Sequence, residues 1–186
     1  MIGIIFGPPG SGKGTQAKRI EEEFHLAHLS TGQTLRDEVQ RGTQIGWEVA
    51  RSMSAGDLVP DDLVVSIVRQ RLSVPEKSAG VLLDGFPRTV EQARALDEML
   101  AEEGKHVDFV IALEVPEKEL VERILRRAAV QGRADDTKEA IAERMHEYHK
   151  LTEAVLDHYR MKSVRVEVVA GTGDPDAVFE RVRRAI

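Results

Sequence analysis

The chain has no cysteine among its 186 residues. Disulfides, zinc–thiolate sites, iron–sulfur clusters and thiol catalysis are therefore excluded. No apolar run reaches the ~18 residues needed to span a bilayer. The opening stretch Met1–Phe6 is too short for a signal-peptide core and lacks a basic leader. A soluble cytoplasmic protein is expected. Asparagine is absent as well, and 18 Arg stand against 8 Lys. Loss of asparagine can accompany heat resistance, but seven Gln and five Met remain, so a GC-rich coding sequence is the simpler reading. Positive charge is in short supply, with 26 Lys and Arg against 32 Asp and Glu, a net charge of −6. A general nucleic-acid binder shows a basic balance or patch, so that class is not expected. A few well-placed arginines can still hold a small anion. What is present suits a folded domain. Hydrophobic residues are 41% of the chain, and the 15 glycines bring the apolar share to a normal globular level. The length fits one α/β domain carrying small insertions.

Short apolar runs alternate with longer helical patterns. Ile2–Phe6, Val81–Leu83, Phe109–Val115 and Val164–Val169 read as strands, with Leu26–Leu29 a weaker fifth. The first three are unbroken apolar runs, as in a parallel sheet covered on both faces. Helices are predicted at Lys13–Phe24, Thr31–Gln40, Ile45–Ala55, Pro60–Arg71, Thr89–Glu103, Pro116–Arg127, Lys138–His158 and Pro175–Ala185. In the longest, Ile141, Met145, Tyr148, Thr152, Val155 and Tyr159 recur along one face. Pro116 and Pro175 stand at first helical turns, where a missing N–H costs nothing. The alternation predicts an α/β fold, an open, doubly wound parallel sheet of five strands flanked by helices. Two stretches interrupt it. Residues 31–55 hold two short helices with no good strand between them, and residues 128–136 are polar, helix-poor and carry Gly132. Both read as mobile insertions on a rigid core.

The strongest motif is Gly7-Pro8-Pro9-Gly10-Ser11-Gly12-Lys13, which follows the first strand and opens the first helix. It matches G-x-x-x-x-G-K in the required strand–loop–helix context. Glycines let the backbone N–H groups approach phosphate oxygens, and the helix N-terminus adds partial positive charge. Lys13 is placed to reach the β- and γ-phosphates of a nucleotide. A glycine-rich turn is the plain alternative, and the context argues against it. The Ser or Thr that usually follows the lysine, and commonly ligates Mg²⁺, is replaced by Gly14, with Thr15 next. The run Val81-Leu82-Leu83 ends in Asp84, a strand-end carboxylate of the type that partners nucleotide-bound Mg²⁺. Alone it reads equally well as a turn aspartate, since Asp84-Gly85 is a good turn pair.

Together these segments resemble adenylate kinases nearly end to end. The resemblance rests on Gly7–Thr15, Leu29–Arg36, Asp84–Thr89, Gln92 and Gly132–Asp136, in that order, with Arg144 in the following helix. It implies a P-loop nucleotide kinase that reversibly transfers the γ-phosphoryl of Mg-ATP to AMP, giving two ADP. It further implies a core of residues 1–29, 60–125 and 137–186, an AMP-binding segment at 30–59 and a short lid at 126–136. ATP would be held by Gly10, Ser11, Gly12, Lys13, Gly14, Thr15, Arg123, Arg127 and the backbone of Gly173. AMP would be held by Thr31, Arg36, Asp57, Leu58, Val59, Gly85, Phe86, Pro87, Arg88, Gln92, Arg133 and Arg144. Lys13, Arg88, Arg123, Arg127, Arg133 and Arg144 would carry the transfer, and Asp84 would hold Mg²⁺ through water. Asp135 and Asp136 would orient arginines and latch the lid. The family is usually monomeric, and no nucleic-acid or membrane partner is implied.

Each role has a plainer competitor. Arg36 could be a solvated helix arginine beside Asp37 and Glu38, and Arg88 a surface loop residue. Thr89-x-x-Gln92 is a capping box, as is Ser30-x-x-Gln33. Asp136 with Glu139 makes an N-cap pair. Arg123 and Arg127, four apart, repel by about 0.2–0.5 kcal/mol, which Glu119 and Glu122 largely offset. Four converging arginines would repel unless a polyphosphate lay among them. Two departures from the family stand out. Gln33 replaces the usual aspartate, which removes a charge and predicts a modest change in Mg²⁺ dependence. The lid is short and has no zinc-binding cysteines. A UMP/CMP kinase of the same superfamily is the nearest alternative, but Thr31 and Thr89 are the adenylate versions at their positions. A GTPase switch is excluded, because its Asn-Lys-x-Asp motif needs asparagine. A non-catalytic nucleotide sensor fits poorly with a second complete nucleotide site.

Overall fold

The computed structural model describes residues 1–73, 78–131 and 137–186, and the backbone alone for 127–131 and 138. Strands β1 (Ile2–Phe6), β2 (Leu26–Ser30), β3 (Gly80–Asp84), β4 (Phe109–Glu114) and β5 (Arg165–Ala170) form one sheet. All pairings are parallel, in the order β2-β3-β1-β4-β5. Side chains alternate across a strand, so neighbours in sequence feed opposite layers. Ile4, Leu83, Val110 and Ala112 face α4 (Asp61–Leu72), α5 (Val90–Glu102) and the later turns of α7 (Lys138–Met161). Ile5, Leu82, Ile111 and Leu113 face α1 (Lys13–Phe24) and α8 (Pro175–Ala185). That double coverage explains why β1 and β4 read as near-continuous apolar runs, with Glu114 at the exposed end of β4 the one charged residue. On β1, Gly3 makes room for Phe109, whose ring would lie 2.2 Å from a Cβ there. The edge strand β5 is largely exposed, and Val169 is its buried residue.

Three helices remain, and two of them still reach the first core through Leu35 and Val49. Helices α2 (Thr31–Arg41) and α3 (Gln44–Ala55) form a hairpin with no strand between them, as expected. Gly42 ends α2 at φ 64° and Thr43 caps α3 by accepting from the Gly46 N–H. Gly46 lets the two helices touch, since a Cβ there would lie 2.2 Å from the Glu38 carbonyl oxygen. Helix α6 (Glu117–Gln131) packs Leu120 and Ile124 against Ile141 and Met145 of α7. The periodic face of α7 is thus divided. Its early part meets α6, Val155 and Tyr159 enter the main core, and Tyr148 and Thr152 between them face a cleft.

Two expectations need correction. Residues 128–131 are helical, because α6 continues to Gln131. Arg126 to Gln131 contains good or neutral helix formers, and the first glycine comes only at position 132. The cap of α7 is Thr137, whose hydroxyl accepts from the Ala140 N–H at 3.1 Å, and not Asp136. Asp136 itself lies outside the described residues, with Arg133 and Asp135. Helices α1 and α8 have the expected bounds, and the other helix ends agree or differ by one to three residues, the usual ambiguity of frayed ends.

Candidate active site

The sheet order creates the site. From the carboxyl end of β1 the chain crosses to one side for β2 and β3 and to the other for β4 and β5. In an open α/β sheet, ligands bind at such a switch point. The register sets Asp84 opposite both Ile5 of β1 and Ser30 of β2. The phosphate loop, the strand-end carboxylate and the start of α2 therefore meet at one place. A continuous hollow of about 2440 Å³ opens over these strand ends and runs on around the β2 edge of the sheet.

On one wall, Gly10 (φ 81°) and Gly12 (φ 93°) take left-handed backbone conformations that a side chain disfavours. A Cβ on Gly10 would lie 2.7 Å from Ile124 and 2.9 Å from the Leu120 carbonyl. The loop is thereby seated against α6, which carries Arg123. The Arg123 guanidinium donates to Glu119 at 2.5 Å, to the Gly171 carbonyl at 3.0 Å and to the Ser11 carbonyl at 3.5 Å. It joins the phosphate loop to the segment that leads to Gly173. That segment is tied down further. Arg181 donates to the carbonyls of Ala170 and, at 2.8 Å, Thr172, and Gln16 donates to that of Pro175 at 3.1 Å. Lys13 Nζ lies across the loop, donating to the carbonyls of Gly7 at 2.5 Å and Pro8 at 3.0 Å.

Asp84 closes the floor and is 8% exposed. Burial pushes its carboxyl up. The hydrogen bond from His28 at 3.2 Å and the charges of Lys13, His28 and Arg88 outweigh that and hold it below the usual carboxylate value. Among the described residues no group of three or more His, Asp or Glu side chains could hold a metal ion by itself. One ionised carboxylate beside a phosphate loop does fit Mg²⁺, which binds through one or two carboxylates plus substrate phosphates and water.

The opposite wall is built from side chains at helix starts. Thr31, 2% exposed, donates to the Gly85 carbonyl at 3.0 Å and ties α2 to the end of β3. Arg88 Nε donates to the same carbonyl at 2.9 Å. Enclosure by the cleft walls and the nearby charge of Arg144 lower the Arg88 guanidinium from its ordinary value, with Asp84 opposing. Arg144 also donates to the Met53 carbonyl at 3.2 Å, linking α7 to α3. Both guanidinium groups line the cleft, where positive charge favours an anionic ligand. Arg36 donates to Gln33 at 3.1 Å, and Gln33 in turn donates to Asp37 at 2.7 Å. Only half of the first expected capping box forms, with Ser30 accepting from the Gln33 N–H at 3.4 Å. Past Gly56 (φ 88°), Asp57, Leu58 and Val59 line the same wall.

Of the expected site residues among those described, almost all line this cleft: Gly10, Ser11, Gly12, Lys13, Gly14 and Thr15, then Arg123 and Gly173, and across from them the Thr31, Arg36, Arg88 and Gln92 side. Phe86 is the exception. Its side chain is 1% exposed and packs in the core, leaving the cleft to its neighbours Gly85 and Pro87. Arg127 is described by its backbone alone, on α6 one turn beyond Arg123. Sequence reasoning missed His28, Gln16, Arg181 and Asp61. Each works through a partner distant in the chain; Asp61, for example, pairs with Thr89 and Gln92. No local spacing announces such a pair.

A phosphate loop on a five-stranded parallel sheet, with Arg36, Arg88 and Arg144 lining the same cleft, defines a phosphotransferase of the P-loop nucleotide kinase class. A family model described as adenylate kinase matches residues 5–164. The chain is 47% identical over 183 residues to an adenylate kinase of Thermus thermophilus, covering 98% of this chain and 95% of that protein. It is 46% identical to one of Micrococcus luteus, at 98% and 89% coverage, and 43% identical to one of Phocaeicola vulgatus, at 98% and 96%. The chain belongs to the adenylate kinase family and is a nucleoside monophosphate kinase. Among the described residues no helix is long and apolar enough to cross a membrane.

Proposed function

We propose that this cleft transfers the γ-phosphoryl of Mg-ATP reversibly to AMP, giving two ADP. The observation that carries the residue-level reading is the opposition of two anion sites across one cleft. The phosphate loop with Lys13 and Arg123 forms one, and Arg36, Arg88 and Arg144 line the other. ATP lies along Gly10–Thr15, with its base towards Gly173. AMP lies between Thr31, residues 57–59 and Gln92, with its phosphate on Arg36 and Arg88. Arginine forks suit phosphate, since two parallel N–H bonds fix its orientation. Bound with ATP, Mg²⁺ would neutralise charge on the phosphates, held by Asp84 through water, with the Thr15 hydroxyl in the first turn of α1 taking part of the role of the usual Ser or Thr. Thr31 and Thr89 favour AMP over UMP or CMP.

No general base is needed, because phosphoryl transfer depends on in-line positioning and charge stabilisation. Lys13, Arg88, Arg123 and Arg144, joined by Arg127 and Arg133, spread the charge of the transferring group. Residues 30–59 act as the AMP segment and 126–136 as the lid. Their closure excludes water, which would otherwise accept the phosphoryl and waste ATP. Opening for product release limits turnover. A single-turnover chemistry rate no faster than steady-state turnover overturns that point. Both sites are built from one chain, and we take the working form to be a cytoplasmic monomer. The deciding experiment is a coupled assay with AMP, CMP, UMP and GMP, alongside titration with two adenosines joined through five phosphates. Preference for AMP and tight Mg²⁺-dependent binding of the double nucleotide are expected. Equal turnover of CMP or UMP favours the pyrimidine kinase instead.

A further inference from the structure

In the AMP site proposed above, Gln92 is the side chain suited to read the base, because an amide both donates and accepts, and a glutamine amide can present itself in two orientations. One places its carbonyl where the other places its NH₂ group. Here the orientation is determined. The Arg88 backbone N–H lies 2.7 Å from Gln92 Oε1, and an N–H can only donate, so that atom is the oxygen. Gln92 Nε2 lies 2.6 Å from Asp61 Oδ1, and a carboxylate can only accept, so that atom is the NH₂ group. The other oxygen of Asp61 accepts from the Thr89 hydroxyl at 2.7 Å. Thr89 is left to accept from the Gln92 backbone N–H at 3.1 Å, as the cap of α5. Each of these four donors has an acceptor, and reversing the amide would set N–H against N–H and oxygen against carboxylate. The side chain is 2% exposed, so water cannot readily repair the reversed state. Gln92 lines the cleft, whereas Asp61 and Thr89 are not among its lining residues.

We propose that Asp61 is a specificity-determining positioning residue, which locks the Gln92 amide in the orientation that reads a 6-amino purine. Two hydrogen-bonding positions remain on the locked amide, one N–H and one oxygen lone pair. Adenine presents an amino donor beside a ring-nitrogen acceptor and matches them. A 6-oxo purine presents an acceptor beside a ring N–H, the reverse polarity, and matches only a flipped amide. Asp61 therefore sets the sign of base selection without touching the base. The carboxylate also stands in the first turn of α4, as does its exposed neighbour Asp62. Both favour the helix N-terminus equally, but of the two only Asp61 is bonded to Gln92.

The inference rests on the reading of this cleft as an AMP site, and the experiment separates the two. kcat and KM are measured with AMP and with IMP, the 6-oxo counterpart, for the unaltered protein, Asp61→Ala, Asp61→Asn, Asp62→Ala and Gln92→Ala. In Asp61→Ala the AMP KM should rise and the ratio of kcat/KM for AMP over IMP should fall on the order of tenfold, the scale set by one discriminating polar contact. kcat with saturating AMP and the KM for ATP should stay within about twofold, because the transfer machinery is untouched. Asp61→Asn keeps the volume, guards against misfolding and should give a smaller fall in the same direction. Asp62→Ala should leave the ratio unaltered. If Gln92→Ala relaxes the ratio and both Asp61 variants leave it within about twofold of the unaltered protein, the proposal is overturned. An equal fall in Asp62→Ala also overturns it, since the effect would then belong to the helix start. If the unaltered protein does not prefer AMP, the adenylate reading itself fails. If Gln92→Ala keeps the preference, the base-reading role fails and the lock with it.

Discussion

The two walls of the cleft are made of different materials. The phosphate-loop wall is mostly backbone. Its shape comes from Gly10 and Gly12 at positive φ, from the carbonyls that hold Lys13, and from the close approach to α6 that a Cβ on Gly10 would obstruct. The opposite wall is mostly side chain. Thr31, Arg88, Gln92 and Asp61 form a chain of hydrogen bonds between the starts of three helices and the end of β3. Backbone N–H groups bind any phosphate, because every nucleotide has the same one. Side-chain amides and hydroxyls distinguish bases, because their donor and acceptor patterns differ. Affinity for triphosphate should therefore be lodged in the first wall and choice of monophosphate in the second.

That contrast can be broken by substitution. The largest effect should come from Lys13→Met, which removes the cation over the loop. Loss of one preorganised charge contact costs about 10²–10³ in kcat, and the variant should still bind AMP normally by calorimetry. Normal turnover would show that Arg123 and its neighbours suffice. Gly10→Ala should act through the fold. A side chain there meets both unfavourable φ and Ile124, so a loss of about 1–3 kcal/mol is expected in urea unfolding. An unaltered midpoint would mean that α6 yields easily. Arg88→Lys keeps charge but not the fork, and the AMP KM should rise about tenfold with little change for ATP. Equal rises for both substrates would show that the two walls are not independent. Gln33→Asp should be the mildest. It restores a carboxylate between Arg36 and Asp37 and should shift the Mg²⁺ titration by about twofold, a small surface-charge effect. An unmoved titration would assign Gln33 to holding Arg36 alone.

The first wall was legible in the sequence for the same reason that it is generic. Its residues are consecutive, so Gly7 to Lys13 announces it with only strand and helix context needed. The apolar runs of β1 and β4 were equally plain, because burial on both faces leaves no polar position to confuse the period. The second wall was read only in part. Thr31, Arg36, Arg88 and Gln92 were picked out by resemblance, and local spacing offered a capping box for Thr89 and Gln92. The structure keeps half of that box. The Gln92 N–H does bond Thr89, but its side chain reaches the Arg88 N–H and Asp61 instead. The helix α6 runs four residues past the reading from sequence, because the short Ala128-Ala129-Val130 run leads straight into the polar, glycine-bearing residues after it, although alanine is the best helix former.

Sequence alone therefore determined the parallel sheet, the phosphate loop and the family. Each is written in adjacent residues, where period, glycine placement and a helix start act locally. Tertiary structure alone decided the strand order that sets Asp84 between Ile5 and Ser30. It also decided the meeting of Asp61 with Gln92 and the partners that pull the Asp84 carboxyl down despite its burial. Those depend on which distant segments share a few ångströms of space. Hydrogen bonds and charges act over that distance, whatever the separation along the chain.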